Sequence, residues 1–296
     1  MARKYDLVAI DLDGTLLDHS GSVDARNLEA LRRAREAGMI VTVCTGRALI
    51  ESLPIIRAIE QTGPVVVSGG AMVADPTTGK TLERFAMERE LVREMVRYLG
   101  AHDHAALVLK DPSATDYDYL VIGPGGAESL DPSSRWWFNK MGVRVRYATH
   151  LDDDEHHEHT VRVGAYQTNK PFDELAGKLR QEFGPRATLQ HFHGALLPKE
   201  RRDLGIQSVH IVEMFHARAD KWQAIERLCA RLHIDPKRTA AIGDQLNDME
   251  MITHAGLGVA MGNAHERIKA VAKRTTGACD EAGVATAIEH MLAGEW

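Results

Sequence analysis

The sequence predicts an α/β protein built on a parallel sheet and interrupted by an inserted α+β module. Three observations predict it. Near the N-terminus, short apolar runs alternate with helical periods. From about residue 85 the runs become short and extended, with only occasional helices between them. Around residue 216 the first pattern returns. The expected division is residues 1–82 and 214–296 for the sheet and 83–213 for the module.

The elements follow in order. Leu7-Val8-Ala9-Ile10 is a buried strand ending at Asp11. Ser22 or Asp24 starts a helix that turns Leu28, Leu31 and Ala34 inward and stops at Gly38. Met39 to Cys44 is a second strand, Arg47 to Glu60 a helix made less regular by Pro54, and Val65-Val66-Val67 a third strand. Asp75 to Lys80 is a turn joining two extended pieces as a hairpin. In the module, Glu88 to Leu99 and Phe172 to Phe183 read as helices. The extended runs are Ala106 to Lys110, Tyr117 to Ile122, Val161 to Tyr166, Ala187 to His191 and Ser208 to Val212. After it, Lys221 to Leu232 is an amphipathic helix, Thr239 to Ile242 a strand, Asp248 to His254 a helix and Leu257 to Met261 a strand.

A chain of 296 residues is long for one core, which suits this division. Composition excludes several classes. Hydrophobic residues make 44% and charged ones 26%, and no apolar run approaches the ~20 residues of a membrane helix. The run Leu7 to Ile10 is too short for a secretory h-region. Cys44, Cys229 and Cys279 are too few and scattered for a disulfide framework, which points to a reducing cytoplasm. A net charge of −6 argues against nucleic acid as partner. The local mixture of Arg135-Trp136-Trp137-Phe138 with Lys140, Arg144 and Arg146 reads as a solvated face over packed aromatics.

Open parallel sheets place ligand sites at the carboxyl ends of their strands, and polar clusters sit there three times. These are Asp11-Leu12-Asp13-Gly14-Thr15, Thr45-Gly46-Arg47, and Gly243-Asp244-Gln245-Leu246-Asn247-Asp248. Residues two apart in an extended segment point to one side, so the Asp11 and Asp13 carboxylates are expected to face one volume. Two such charges ~4 Å apart repel by about 4 kcal/mol at an effective dielectric near 20. Asp244 and Asp248 add to the negative charge, and such a group of carboxylates calls for a hard cation with oxygen ligands, best met by magnesium. Gly14 permits a sharp turn and Thr15 offers a hydroxyl, while Thr45, a helix N-terminus and Lys221 are placed to neutralise phosphate oxygens.

At these residues the chain resembles the haloacid dehalogenase-like superfamily, specifically its Cof-type phosphatases. The likeness runs through Asp11 to Leu17, Thr45-Gly46-Arg47, Lys221, Gly243-Asp244 with Asn247-Asp248, Met261-Gly262-Asn263-Ala264 and Gly283-Val284-Ala285. It implies a Rossmann-like core with an α+β cap that closes over the site. It implies Asp11 as the nucleophile that forms a phosphoaspartate, and Asp13 as the acid that protonates the leaving oxygen and later activates water. Thr45 and Lys221 match the phosphate-binding pair, with Gly14, Gly46, Arg47 and Asn247 around the phosphoryl group or its loop. The implied magnesium ligands are the Asp11 carboxylate, the Asp13 carbonyl and Asp244, with Asp248 nearby as a ligand or as support behind the ligands. Two departures stand out: Trp222 follows Lys221 where relatives carry Gly, and Ser68-Gly69-Gly70 replaces the usual Asn-Gly-Ala.

The reading is a magnesium-dependent phosphomonoester hydrolase acting on a small phosphorylated metabolite such as a sugar phosphate. Two alternatives stay open: a phosphotransferase of the phosphomannomutase kind, and a phosphate-binding module without catalysis. Asp13 speaks against the last, since binding alone needs no acid/base two residues after the nucleophile. Elsewhere, Asp152 to His159 reads as a solvated acidic loop, His191 and His193 as half-buried or solvent-facing strand residues, and Cys44 as a small core residue. No motif marks the substrate or an oligomer interface.

Overall fold

The computed structural model describes residues 3–194, 196 and 198–296. The chain forms two compact units, Met1–Glu83 with Asp220–Trp296, and Arg84–Ala219. The second boundary lies beyond the expected 213/214 division, because the last strand of the inserted unit continues through His216.

In the first unit, β1 (Leu7–Ile10) is buried at every position, as a strand covered on both faces must be. Helix α1 (Ala25–Glu36) starts at Asp24, whose carboxylate accepts the Arg26 N–H, and buries Ala30, Leu31 and Ala34. It leads to β2 (Ile40–Val43), α2 (Leu49–Ala58) and β3 (Val65–Val67). A hairpin of β4 (Met72–Ala74) and β5 (Thr81–Arg84) then pairs with β3 in a small three-stranded sheet.

The inserted unit contains α3 (Arg89–Ala101), β6 (Ala106–Lys110), β7 (Tyr119–Ile122), α4 (Pro132–Met141) and β8 (Val145–Ala148). It continues with β9 (Thr160–Thr168), α5 (Asp173–Phe183), β10 (Ala187–His193), α6 (Pro198–Leu204) and β11 (Val209–His216). Its strands form one sheet in the order β10-β11-β9-β6-β7-β8, antiparallel except for the β7–β8 pair. Alternate residues such as Val108, Leu120, Val163, Val212 and Met214 join Leu91, Met95 and Leu99 of α3 and Leu175 and Leu179 of α5 in one core. Helix α4 covers the basic aromatic segment. Phe138 is buried against Tyr119 with ring centroids 4.7 Å apart, and the Lys140 ammonium lies 4.7 Å from the Trp136 ring centre.

The run Asp152 to His159 departs from the expected solvated loop. Asp154 is buried and pairs with the ammonium of Lys110, which is also buried. Lys110 sits at the end of β6 with its tip inside the unit, so a counter-ion had to come from this acidic stretch. His191 is half-buried and His193 exposed, as expected.

The chain returns to the first unit through α7 (Lys221–Leu232), β12 (Thr239–Gly243), α8 (Met249–His254), β13 (Leu257–Ala260), α9 (Glu266–Val271), β14 (Arg274–Thr275) and α10 (Gly283–Leu292). The sheet is wholly parallel in the order β14-β13-β12-β1-β2, and a parallel bridge from Cys44 to Val66 extends it to β3. β1 sits with β2 on one side and β12 on the other, paired Ile10 to Val43 and Ile10 to Ile242. The strand order therefore reverses between β1 and β12, which brings the loops after Ile10 and Gly243 together at one crevice. Among the described residues no helix is long and apolar enough to cross a membrane.

Candidate active site

Asp11 leaves the end of β1 and is buried. Its Oδ1 accepts a hydrogen bond of 2.6 Å from Nζ of Lys221, and the same ammonium donates at 2.5 Å to Oδ1 of Asp248. Lys221 is the first residue of α7 and only 1% of its side chain is exposed. The helix starts there because the Asp220 carboxylate accepts the Gln223 N–H at 2.8 Å. Trp222 leaves that pose intact: it is buried at 7% and stacks on His254, 5.9 Å between ring centroids. Gly70 makes room for the helix start, since a Cβ there would stand 2.1 Å from the Asp220 carbonyl oxygen.

The β12 loop supplies the other two carboxylates. Oδ2 of Asp248 accepts the backbone N–H groups of Asp244 at 2.9 Å and Gln245 at 3.0 Å, which folds the loop around that side chain. Gly243 is needed here, because a Cβ would lie 2.6 Å from Asp248 Oδ2. Asp244 accepts from the Thr15 hydroxyl at 2.8 Å and from Gln245 Nε2 at 3.1 Å. Gly14, at φ +79°, passes so close that a Cβ would stand 2.6 Å from Asp244 Oδ2. One donor atom each from Asp11, Asp244 and Asp248 lies within 4.8 Å of the others.

Burial raises the Asp11 carboxyl and the Asp13 charge pushes it further up, so the two carboxylates lie within electrostatic reach of each other. Strand β1 ends at Ile10 and the chain turns at Gly14. The Asp13 carboxylate, 49% exposed, forms a bidentate pair with Arg47, from Nε at 2.9 Å and Nη2 at 2.5 Å. Thr45 is buried and its hydroxyl accepts the Arg47 N–H at 3.2 Å. Asn247 is half-buried, with its amide nitrogen 4.0 Å from where a Cβ would stand on Gly46.

Several contributors carry weaker sequence signals. Thr15 was visible only as a hydroxyl beside the aspartates. Asn263 clamps two loops, donating to the Gly14 carbonyl and accepting the Cys279 N–H, both at 2.8 Å. Ser68 is buried at φ +54°, an uncommon conformation for a residue other than glycine, and its hydroxyl has no hydrogen-bond partner. A Ser at the end of an apolar strand announces neither feature.

Electrostatics separate these groups. Burial pushes the Asp11 carboxyl well above the usual carboxylate range; Lys221 pulls it down, while Asp248 and Asp244 push it further up. Asp244 is raised to about 6 by burial and by Asp248, against the hydrogen bonds from Thr15 and Gln245. Burial works against the charge on Lys221, but Asp11 and Asp248 hold it above the normal lysine range. The cluster thus sets three carboxylates against one ammonium, an imbalance that a hard divalent cation relieves and that an all-oxygen donor set suits. The thiol of Cys44 is pushed far up by burial and fits the core role expected for it.

A wholly parallel sheet that gathers three buried carboxylates and a buried lysine at its topological switch point has the arrangement of an enzyme of the α/β class. Residues 8–288 match the haloacid dehalogenase-like hydrolase family, and the chain belongs to it. It is 29% identical to "Phosphatase YwpJ" of Bacillus subtilis, over 97% of this chain and 99% of that protein. It is 28% identical to the B. subtilis 5-amino-6-(5-phospho-D-ribitylamino)uracil phosphatase YwtE, over 98% and 99%. A solved haloacid dehalogenase-like hydrolase from B. subtilis superposes with a TM-score of 0.74 at 27% identity, covering 96% of this chain and 99% of that one.

Proposed function

We propose that this chain is a magnesium-dependent phosphomonoester hydrolase of the cytoplasm, acting through a phosphoaspartate on a small phosphorylated metabolite of the sugar-phosphate class. The observation that carries the reading is the placement of Asp11, buried at the end of β1 and oriented by Lys221, beside Asp244 and Asp248. The substrate class draws support from YwtE, whose name specifies a phosphorylated ribityl chain. The three free, buried cysteines suit a reducing compartment.

In this reading the Asp11 carboxylate attacks phosphorus while the ester oxygen departs with a proton from Asp13. Asp13 then takes a proton from the water that attacks the phosphoaspartate, and phosphate and free Asp11 result. The half-exposed pair with Arg47 gives this step its gate: Arg47 exchanges Asp13 for a phosphoryl oxygen, which frees Asp13 to carry the proton. Lys221 holds Asp11 in one orientation, and the Thr45 hydroxyl and Asn247 line the phosphoryl position. The Asp11, Asp244 and Asp248 carboxylates and the Asp13 carbonyl would hold magnesium, which would supply positive charge toward the phosphoryl oxygens. Residues 84–219 are assigned the choice of leaving group, because the motifs of the first unit address only the phosphoryl end.

The test is phosphate release from a panel of phosphorylated metabolites with magnesium, with calcium and after chelation. Release that needs magnesium, is poorly supported by calcium and favours sugar phosphates is expected. Release at the full rate after exhaustive chelation contradicts the metal assignment. Turnover only with a bisphosphate activator points instead to phosphoryl transfer between sugars.

A further inference from the structure

Outside the carboxylate cluster, a second group of metal-ligating side chains meets among the described residues: His19, Cys279 and Asp280, with one ligand atom each within 4.8 Å of the others. Nε2 of His19 lies 3.4 Å from Oδ2 of Asp280, and Sγ of Cys279 lies 3.9 Å from Oδ1 of the same carboxylate. A tetrahedral zinc, about 2.3 Å from sulfur and about 2.1 Å from nitrogen or oxygen, sets its ligand atoms roughly 3.4–3.6 Å apart. The His19–Asp280 and Cys279–Asp280 separations are therefore near the spacing such an ion imposes, and all three ligand atoms lie within 4.8 Å of one another.

Both loops that carry them are anchored. The Asp18 carboxylate ties down the turn at His19 by accepting the Ser20 N–H at 2.8 Å and the Ser22 N–H at 2.9 Å. The second loop is held by the Cys279 N–H on Asn263 and by the Ala278 N–H on Glu281 at 2.9 Å. The His19 N–H also donates to Asp280 Oδ1 at 3.2 Å, which joins the two loops. An ion pair accounts for His19 and Asp280, with 73% and 53% of their side chains exposed, but not for a thiol buried beside them. We propose that His19, Cys279 and Asp280 form a second divalent-cation site, for a soft ion of the zinc class. Thiolate, imidazole and carboxylate are the donors such an ion takes, whereas the oxygen-only cluster at Asp11 suits magnesium. Binding replaces the thiol proton with the metal and releases that proton to solvent.

The donor sets make the two sites separable, and the readout does not depend on turnover. Cobalt(II), a spectroscopic stand-in for zinc, is titrated into the full-length protein kept reduced with a phosphine and saturated with magnesium. A sulfur-to-cobalt charge-transfer absorption is expected, which zinc extinguishes. The other two thiols, Cys44 and Cys229, belong to neither donor group, so Cys279→Ser should abolish the band. His19→Ala and Asp280→Asn, at exposed positions that leave the fold alone, should each weaken cobalt binding at least about tenfold. No band in the wild-type protein, a band that survives Cys279→Ser, or unchanged affinity in both His19→Ala and Asp280→Asn overturns the site.

Discussion

Among the described residues two lysines are buried, one in each unit, and their surroundings teach opposite lessons. Lys110, at 0% exposure, pairs with Asp154 and spends its remaining donors on the Thr160 hydroxyl at 2.7 Å and the His156 carbonyl at 3.3 Å. One ammonium meets one carboxylate, and burial lowers the lysine pKa. Lys221 meets Asp11 and Asp248, with Asp244 close behind, and its charge is held firmly in place. A buried ion pair by itself is a matter of folding. What marks a site for chemistry is imbalance: carboxylates in excess of the cation that holds them are left to attack, to ligate or to take up a proton.

The largest effect that sharpens this contrast is on turnover. Asp11→Asn keeps the shape and removes the nucleophile, so phosphate release should fall by a factor on the order of 10⁴ or more, with a circular dichroism melt close to wild type. Measurable turnover near wild type in a folded, wild-type-free preparation would move the nucleophile elsewhere.

Swapping each lysine for methionine comes next. Lys110→Met strands Asp154 and should cost about 3–5 kcal/mol in denaturant unfolding, while Lys110→Met/Asp154→Leu should recover most of that loss. The folded fraction of both should still cleave a small aryl phosphate. Lys221→Met should instead lose turnover on every substrate, since Asp11 loses its orienting partner. If the two variants behaved alike, charge balance would not separate structural from chemical burial.

A smaller effect is the pH dependence of the metal-free protein. With its pKa raised from 3.8 to about 6, Asp244 binds more protons folded than unfolded between those values. Its contribution to stability is therefore fully present below about pH 4 and is lost as pH rises through 6. The total is about 3 kcal/mol from this group, with Asp11 shifted in the same direction. Asp244→Asn should flatten that part of a chelator-treated stability profile, and a wild-type profile that rises across this window would contradict the assignment.

Much of the candidate site's placement was legible because it rests on local signals. The run Leu7 to Ile10 is apolar throughout, so Asp11 had to lie at a buried strand end, and Asp244 and Asp248 follow another such run. The sheet's topology did the rest by bringing those ends side by side. The pairing of Asp13 with Arg47 escaped the reading because the two lie on different loops, 34 residues apart. Asp154 escaped because its partner Lys110 is distant in sequence, and an acidic run carries no mark of which member turns inward. Helix α4 was signalled by Asp131-Pro132 before it and Gly142 after it, but its mixed basic and aromatic face hid the helical period. The orphaned Ser68 hydroxyl follows from a backbone turn that no neighbouring residue foretells.

The most direct test of the central claim asks which carboxylate the phosphoryl group reaches. Turnover is quenched in acid under saturating substrate, the protein is reduced with borohydride, which converts an acyl phosphate to an alcohol, and its peptides are mapped by mass spectrometry. Homoserine at Asp11, and at no other aspartate, is the predicted result. Steady phosphate release with Asp11 unmodified, or homoserine at Asp13, Asp244 or Asp248 instead, would contradict it.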